Sequence, residues 1–280
     1  MHVLVAGAGW LGMAIARALS SRGDRVTAVR RDPGQAALLR SAGAEPLFLD
    51  LASPQAARLL PTDMAVVVAC QAASGDGVEP YRLAYLDANR TLLEAARRAN
   101  ARAFVYTGST GVFGQRDGSE VDESTAPAPA GAGAEVLAEA EALVLGGGVP
   151  SMVLRLSGLY GPGRLWPVER VRAGKLALGP GDDAWMNFCH LDDAVAAVLS
   201  AVDRGRPGAV YHATDAGPAR RRDVVEWVSS RLGIPVPRAP EGSRAPEGPN
   251  RRIRGERTRA LLGLGLVHPS FREGLSSALP

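Results

Sequence analysis

Lysine is nearly missing from this 280-residue chain: Lys175 is the only one, and arginine supplies the rest of the 32 basic residues. A bias of that kind reflects the composition of the coding genome rather than a nucleic-acid-binding face. The arginines grouped at Arg220 to Arg222 and at Arg251, Arg252, Arg254, Arg257 and Arg259 have no interleaved aromatics, so they read as solvated charge or as contacts to an anionic small molecule. Cysteine is scarce as well. Cys70 and Cys189 offer neither a disulfide framework nor a metal-ligand spacing, which fits a reducing compartment and gives no metal site. No apolar run is long enough to cross a bilayer, and the apolar N-terminus runs into glycines rather than a signal-peptide pattern. The expectation is a cytoplasmic protein with no membrane and no nucleic-acid partner.

What the chain does have is apolar residues, 46% of the total, and 33 glycines. Three of those glycines sit in the stretch VLVAGAGWLGMAIARALSSRGDRVTAVRR, which reads as a strand, a turn, a helix and a second strand. The turn carries G-x-G-x-x-G. Gly7 permits the sharp turn, Gly9 lets backbone approach a pyrophosphate, and Gly12 lets helix and strand pack closely, while Trp10 and Leu11 open a helix whose first N–H groups face an anion. An NAD site places an acidic residue at the end of the second strand to hold the ribose hydroxyls. Here Arg30 stands there with Arg31 beside it, and a guanidinium suits a 2′-phosphate that a carboxylate would repel. The expected cofactor is therefore NADP, with NAD possible.

Further along, Pro33 to Ser41 reads as a helix, Glu45 to Leu49 as a third strand, Ala65 to Ala69 as a buried central strand, Pro80 to Asn100 as one long helix and Phe104 to Thr107 as a fifth strand. Asp50 is either a contact to the adenine or a turn residue, Leu51 could pack on the ring, and Cys70 and Gln71 should line the cofactor crevice. Thr125 to Ala134 is a low-complexity surface loop, followed by a helix from Glu135 and a strand from Ser151 to Leu156. Later helices cover Asp192 to Val202, Val224 to Leu232, Arg257 to Leu262 and Phe271 to Leu279, and the RAPEG tandem between Pro237 and Pro249 reads as a mobile loop. Alternating strands and helices specify an α/β, doubly wound parallel-sheet Rossmann fold. A dinucleotide domain is expected over about residues 1–160 and a smaller C-terminal substrate lobe over about 161–280, with about 185–215 returning to the first.

Taken in order, GAGWLG, FLDL, YTGSTGVFG, VLRLSGLYGPGR, FCHLDDAVAAV and LGLGLVHPSFREGL resemble the extended short-chain dehydrogenases/reductases, the NAD-dependent epimerase/dehydratase family. The likeness spans nearly the whole chain and points to an atypical bacterial branch. It implies a small-molecule substrate, with nucleotide sugars common among relatives, and a possible homodimer through helices of the cofactor domain. It also implies a catalytic Tyr-x-x-x-Lys pair with a nearby serine, the lysine lowering the tyrosine pKa so that a proton moves as hydride is exchanged.

Ser109 matches the serine, and Thr110 could assist it. The pair itself is absent: Val171 stands four residues before the single lysine, and the family's tyrosine and lysine positions fall on Gly131 and Glu135. Glu135 could titrate near neutrality if desolvated, or be a surface residue favoured by the helix dipole; Tyr85 could replace the acid, or pack on the sheet. His190, Tyr160 and Arg155 read as structural, and Trp166 and Trp185 as core or pocket wall. Two functions follow: an NADP-dependent oxidoreductase or epimerase-like enzyme with a non-standard proton donor acting on a carbonyl, hydroxyl or nucleotide-sugar-like substrate, or a non-catalytic NADP-binding sensor.

Overall fold

The computed structural model describes residues 1–245 and 248–279, so Pro246 and Glu247 of the second RAPEG copy lie outside the described residues. In chain order the first half holds β1 (His2–Ala6), α1 (Trp10–Ser21), β2 (Arg25–Arg30), α2 (Ala36–Ser41), β3 (Ala44–Phe48), α3 (Ala56–Leu59), β4 (Val66–Ala69), α4 (Glu79–Tyr81), α5 (Ala88–Arg98) and β5 (Ala103–Ser109). There follow β6 (Glu120–Val121), α6 (Ala132–Leu145), β7 (Ser151–Leu156), β8 (Gly158–Tyr160), α7 (Trp166–Arg172), β9 (Trp185–Met186) and β10 (Phe188–His190). The chain closes with α8 (Leu191–Arg204), β11 (Val210–Ala213), β12 (Ala219–Arg220), α9 (Arg221–Leu232), β13 (Arg252–Ile253), α10 (Glu256–Leu262) and α11 (Phe271–Ser276).

Seven strands form one parallel sheet in the order β3-β2-β1-β4-β5-β7-β11. Its central strands are apolar on both faces because helices cover both: every residue of β1 and β4 is buried. Removing each such Val or Leu from water contributes about 1.5–3 kcal/mol. Register sets the site. Ala6 pairs with Val29 on one side and Ala69 on the other, so β1, β2 and β4 end level and release Gly7, Arg30 and Cys70 along one edge. The order reverses between β1 and β4, which is where an open α/β sheet leaves its ligand crevice.

Two compact units result. The first comprises Met1–Val112, Pro129–Arg155 and Val195–Tyr211, and the second Phe113–Ala128, Leu156–Ala194 and His212–Pro280. The division departs from the expected one in two places: 113–128 belongs to the second unit, and of the segment about 185–215 only 195–211 returns to the first. The second unit has its own core, with Tyr160, Phe188, Val224, Val228, Phe271 and Leu275 buried together. Trp166 stacks on Phe188 at 5.6 Å there, and Trp185 lies under Arg220 at 3.9 Å. Among the described residues no helix is long and apolar enough to cross a membrane.

The expected helix from Pro80 to Asn100 is present from Glu79 to Arg98, but with a widened turn inside it. Between α4 and α5 the backbone makes a π-helical turn over Arg82–Asp87, one residue wider than an α-turn. The apolar spacing of the sequence carries across it, so nothing in the pattern announces the extra residue.

Candidate dinucleotide site and the turn at Ser109

The loop between β1 and α1 is built from three glycines with three separate steric reasons. Gly7 has φ +83°, and a Cβ there would stand 2.3 Å from Gln71 Cα, so the turn must hug the end of β4. A Cβ on Gly12 would stand 2.5 Å from Gly7 O and 3.0 Å from Cys70 Sγ, which is the close approach of helix to strand. Gly9 differs: its Cβ would meet nothing nearer than Gly7 O at 3.9 Å, leaving an open cradle that any side chain would fill. Gly7 and Ala8 N–H both donate to Val29 O, and the first helical bond runs from Met13 N–H to Gly9 O at 2.9 Å. Trp10, Leu11 and Gly12 thus form the helix's opening turn, where backbone N–H groups suit an anion.

Arg30, half-buried at the end of β2, donates through Nη1 to Ala8 O at 3.0 Å, which holds its guanidinium against the glycine loop. Arg31 is exposed and reaches Ser74 Oγ at 3.2 Å, in the segment after β4. The residue that follows, Asp32, is turned into a local cap, accepting from Gly34 N–H at 2.9 Å. Among the described residues the end of β2 thus presents two arginines, with the Asp32 carboxylate tied to its own turn. On the other side of β1, Gln71 donates to Asn89 Oδ1 at 2.9 Å while its own Oε1 is buried without a hydrogen-bond partner. An open cradle and two guanidinium groups beside it fit the charge of a dinucleotide.

Three further residues of this edge have local partners, and for Asp50 that is the turn role, one of its two expected readings. Leu51 is 7% exposed and belongs to the apolar core, leaving little surface for a ring. Asp50 caps its own turn, accepting from Ala52 N–H at 3.1 Å. Cys70 points under the glycine loop rather than into a crevice: its thiol donates to Ala6 O at 3.1 Å, and burial pushes its pKa up to about 12.

β5 runs into Ser109, whose Oγ accepts from Gly111 N–H at 3.0 Å. Thr110 is buried beneath the turn. Helix α6 packs against this turn with the face that carries Gly133 and Leu137: a Cβ on Gly111 would lie 3.1 Å from Ser109 Oγ and 3.4 Å from Leu137 Cδ1. Glu135 points elsewhere. It is exposed in the first turn, as 200° of helical rotation from Leu137 requires, so the expectation that it replaces a catalytic lysine beside Ser109 does not match its placement. Gly131 precedes the helix at φ +96°, a conformation hostile to a tyrosine, with nothing within 4 Å of its missing Cβ.

Tyr85 lies on the π-helical turn. Its hydroxyl oxygen accepts from Ala73 N–H at 3.4 Å, bracing the segment after β4, and burial raises its pKa while that N–H opposes the shift. Its ring meets Tyr81 edge to face at 5.4 Å. Farther along α6, Glu141 forms a two-pronged pair with Arg155, 2.8 Å at the shortest, both side chains almost wholly buried. Burial raises the Glu141 pKa against the pull of Arg155.

Within the second unit, His190, Asp192 and His268 bring one possible ligand atom each to within 4.8 Å of one another. His190 Nδ1 accepts Asp192 N–H at 3.2 Å at the start of α8, and a helix N-terminus repels cations, so the group works as a hydrogen-bonded clamp on the segment before α11.

The model of the NAD dependent epimerase/dehydratase family matches residues 3–216. The chain belongs to this family. Its Rossmann-like fold is the one expected of an NAD(P)-binding member. A family relative from a Streptomyces species, named a 3-diazoavenalumate denitrifying reductase, is 32% identical across 98% of this chain and 99% of its own. A solved structure of a functionally unknown conserved protein from Silicibacter pomeroyi is 28% identical, with TM-score 0.80 over 99% of this chain and 97% of that one. MoeE5, solved in complex with UDP-glucuronic acid and NAD, is 25% identical, with TM-score 0.82 over 99% and 97%.

Proposed function

We propose that this family member is a reductase that uses NADPH to reduce a small electrophilic molecule, a carbonyl compound being the simplest case. The observation that carries the cofactor preference is the end of β2, where Arg30 is held against the glycine loop and Arg31 beside it, with Asp32 diverted into a cap. A 2′-phosphate there gains charge-assisted hydrogen bonds that a plain ribose does not. A bound nicotinamide dinucleotide supplies hydride; the chain's residues hold it, orient the acceptor and provide a proton.

Reduction is favoured over the reversible oxidation of an epimerase by what the site lacks. Taking a proton from an alcohol needs a phenol whose pKa is lowered by a nearby cation, and the sole lysine, Lys175, has Val171 rather than a tyrosine four residues before it. Delivering a proton to a developing alkoxide needs only a placed donor, with Ser109 Oγ as a second hydrogen bond to the same oxygen. The reductase name of the Streptomyces relative supports this direction. A soluble homodimer in the cytoplasm completes the proposal.

The test is NADPH oxidation by the purified protein with aldehydes, ketones, quinones, aryl diazonium compounds and nucleotide sugars. The expected result is turnover with NADPH above that with NADH, strongly reduced in Ser109→Ala. Tight NADPH binding with no turnover across the panel would instead favour a dinucleotide sensor, the reading suggested by the emptied start of α6.

A further inference from the structure

We propose that Tyr81, on the helix after β4, is the proton donor of this site, standing in from a different element for the tyrosine that α6 lacks. The inference rests on the reductase reading above. Gly133 presents no side chain on the α6 face that leads, one turn later, to Leu137 and the Ser109 turn. The space a Cβ there would enter is filled by the edge of the Tyr81 ring, with Cε1 at 3.3 Å, Cδ1 at 3.6 Å and Cζ at 3.7 Å. A side chain on Gly133 would press on the Tyr81 ring, and this chain leaves that place to the ring.

The local backbone serves that placement. Tyr81 ends α4, and the wider π-helical turn that follows lets its ring meet Tyr85 edge to face, at 5.4 Å and 63°, where the Tyr85 hydroxyl is tied to Ala73 N–H. Turns of this kind recur at functional positions. The two tyrosines divide the work. Tyr85 is committed to a backbone contact, whereas the Tyr81 hydroxyl has no hydrogen-bond partner among the described residues and its side chain is only partly buried.

A bound dihydronicotinamide would supply hydride to the acceptor carbon, becoming oxidised as that carbon is reduced by two electrons. The carbonyl π pair moves to oxygen, which takes the phenolic proton of Tyr81, giving the alcohol and the oxidised cofactor. The phenolate regains a proton from water at its partly exposed side chain, so no lysine relay is required.

The experiment combines two readouts on the full chain. Tyr81→Phe is expected to bind NADPH as the parent does while losing about 10²–10⁴-fold in kcat/KM for whichever compound of the panel the parent reduces. Independently of turnover, acetylation of Tyr81 by N-acetylimidazole, followed by peptide mass spectrometry, is expected to be suppressed by NADP+ but not by adenosine 2′,5′-bisphosphate, which lacks the nicotinamide. Full activity in Tyr81→Phe, or acetylation indifferent to NADP+, would overturn the assignment while leaving the reductase reading intact. A parent protein that binds no dinucleotide, or reduces nothing in the panel, would remove that reading and this one together.

Discussion

The glycine loop after β1 and the start of α6 lie in the same unit and have been treated oppositely. At the loop every steric requirement of a dinucleotide site is met: Gly7 and Gly12 have no room for a Cβ, and Gly9 has room that is kept open. At the start of α6 the chain has Gly131 and Gly133, which carry no side chain, and the helix turns its one early carboxylate, Glu135, to solvent. Binding and chemistry are thus separable within one fold. A parallel sheet edge licenses a ligand, and the reacting groups must be found among whichever elements surround it.

The sharpest way to break this contrast is to fill the loop. Gly9→Asp adds a side chain where nothing stands within 3.9 Å and is expected to fold normally yet lose NADPH binding by more than about 100-fold, the cradle being blocked and an anion repelled. Calorimetric titration and a thermal melt distinguish lost binding from lost fold. Next in size is Arg155→Met, which leaves Glu141 buried without its partner and should destabilise by about 3–5 kcal/mol in denaturant titration. That result would show that α6 is firmly anchored and that its emptied start is not a sign of a loose helix.

Gly133→Ala is a milder intrusion, since its Cβ would press on the Tyr81 ring from 3.3 Å. It should lower kcat/KM by about tenfold, roughly 1.4 kcal/mol, with NADPH affinity unchanged. Glu135→Ala should do least, shifting stability by no more than about 0.5 kcal/mol and leaving turnover as it was, because an exposed first-turn residue touches nothing at the site.

What could be read from the residues follows the strength of local pattern. The strand, glycine turn and helix of residues 2–21 were legible because apolar runs and three glycines act together, and the buried strand at Val66–Ala69 because four apolar residues leave no alternative. Strands of two or three residues, such as β6, β9 and β13, carry no periodicity to detect. Helix α6 shows how small an offset suffices to mislead. Glu135, expected beside Ser109, is exposed, whereas Leu137, two residues on and about 200° around the helix, is the one that meets the Ser109 turn. The π-helical turn concealed Tyr81 in the same way: a continuous helix gives no reason to single it out, and only its ring lying over Gly133 does.

The account turns on the cofactor recognised at the end of β2. The most direct measurement is the ratio of dissociation constants for NADH and NADPH, taken side by side on the parent chain and on Arg30→Asp. The expected ratio favours NADPH by about 10–100-fold, the worth of one or two charge-assisted hydrogen bonds, and falls to unity or inverts in the variant. Equal affinities in the parent, or a preference untouched by Arg30→Asp, would contradict it.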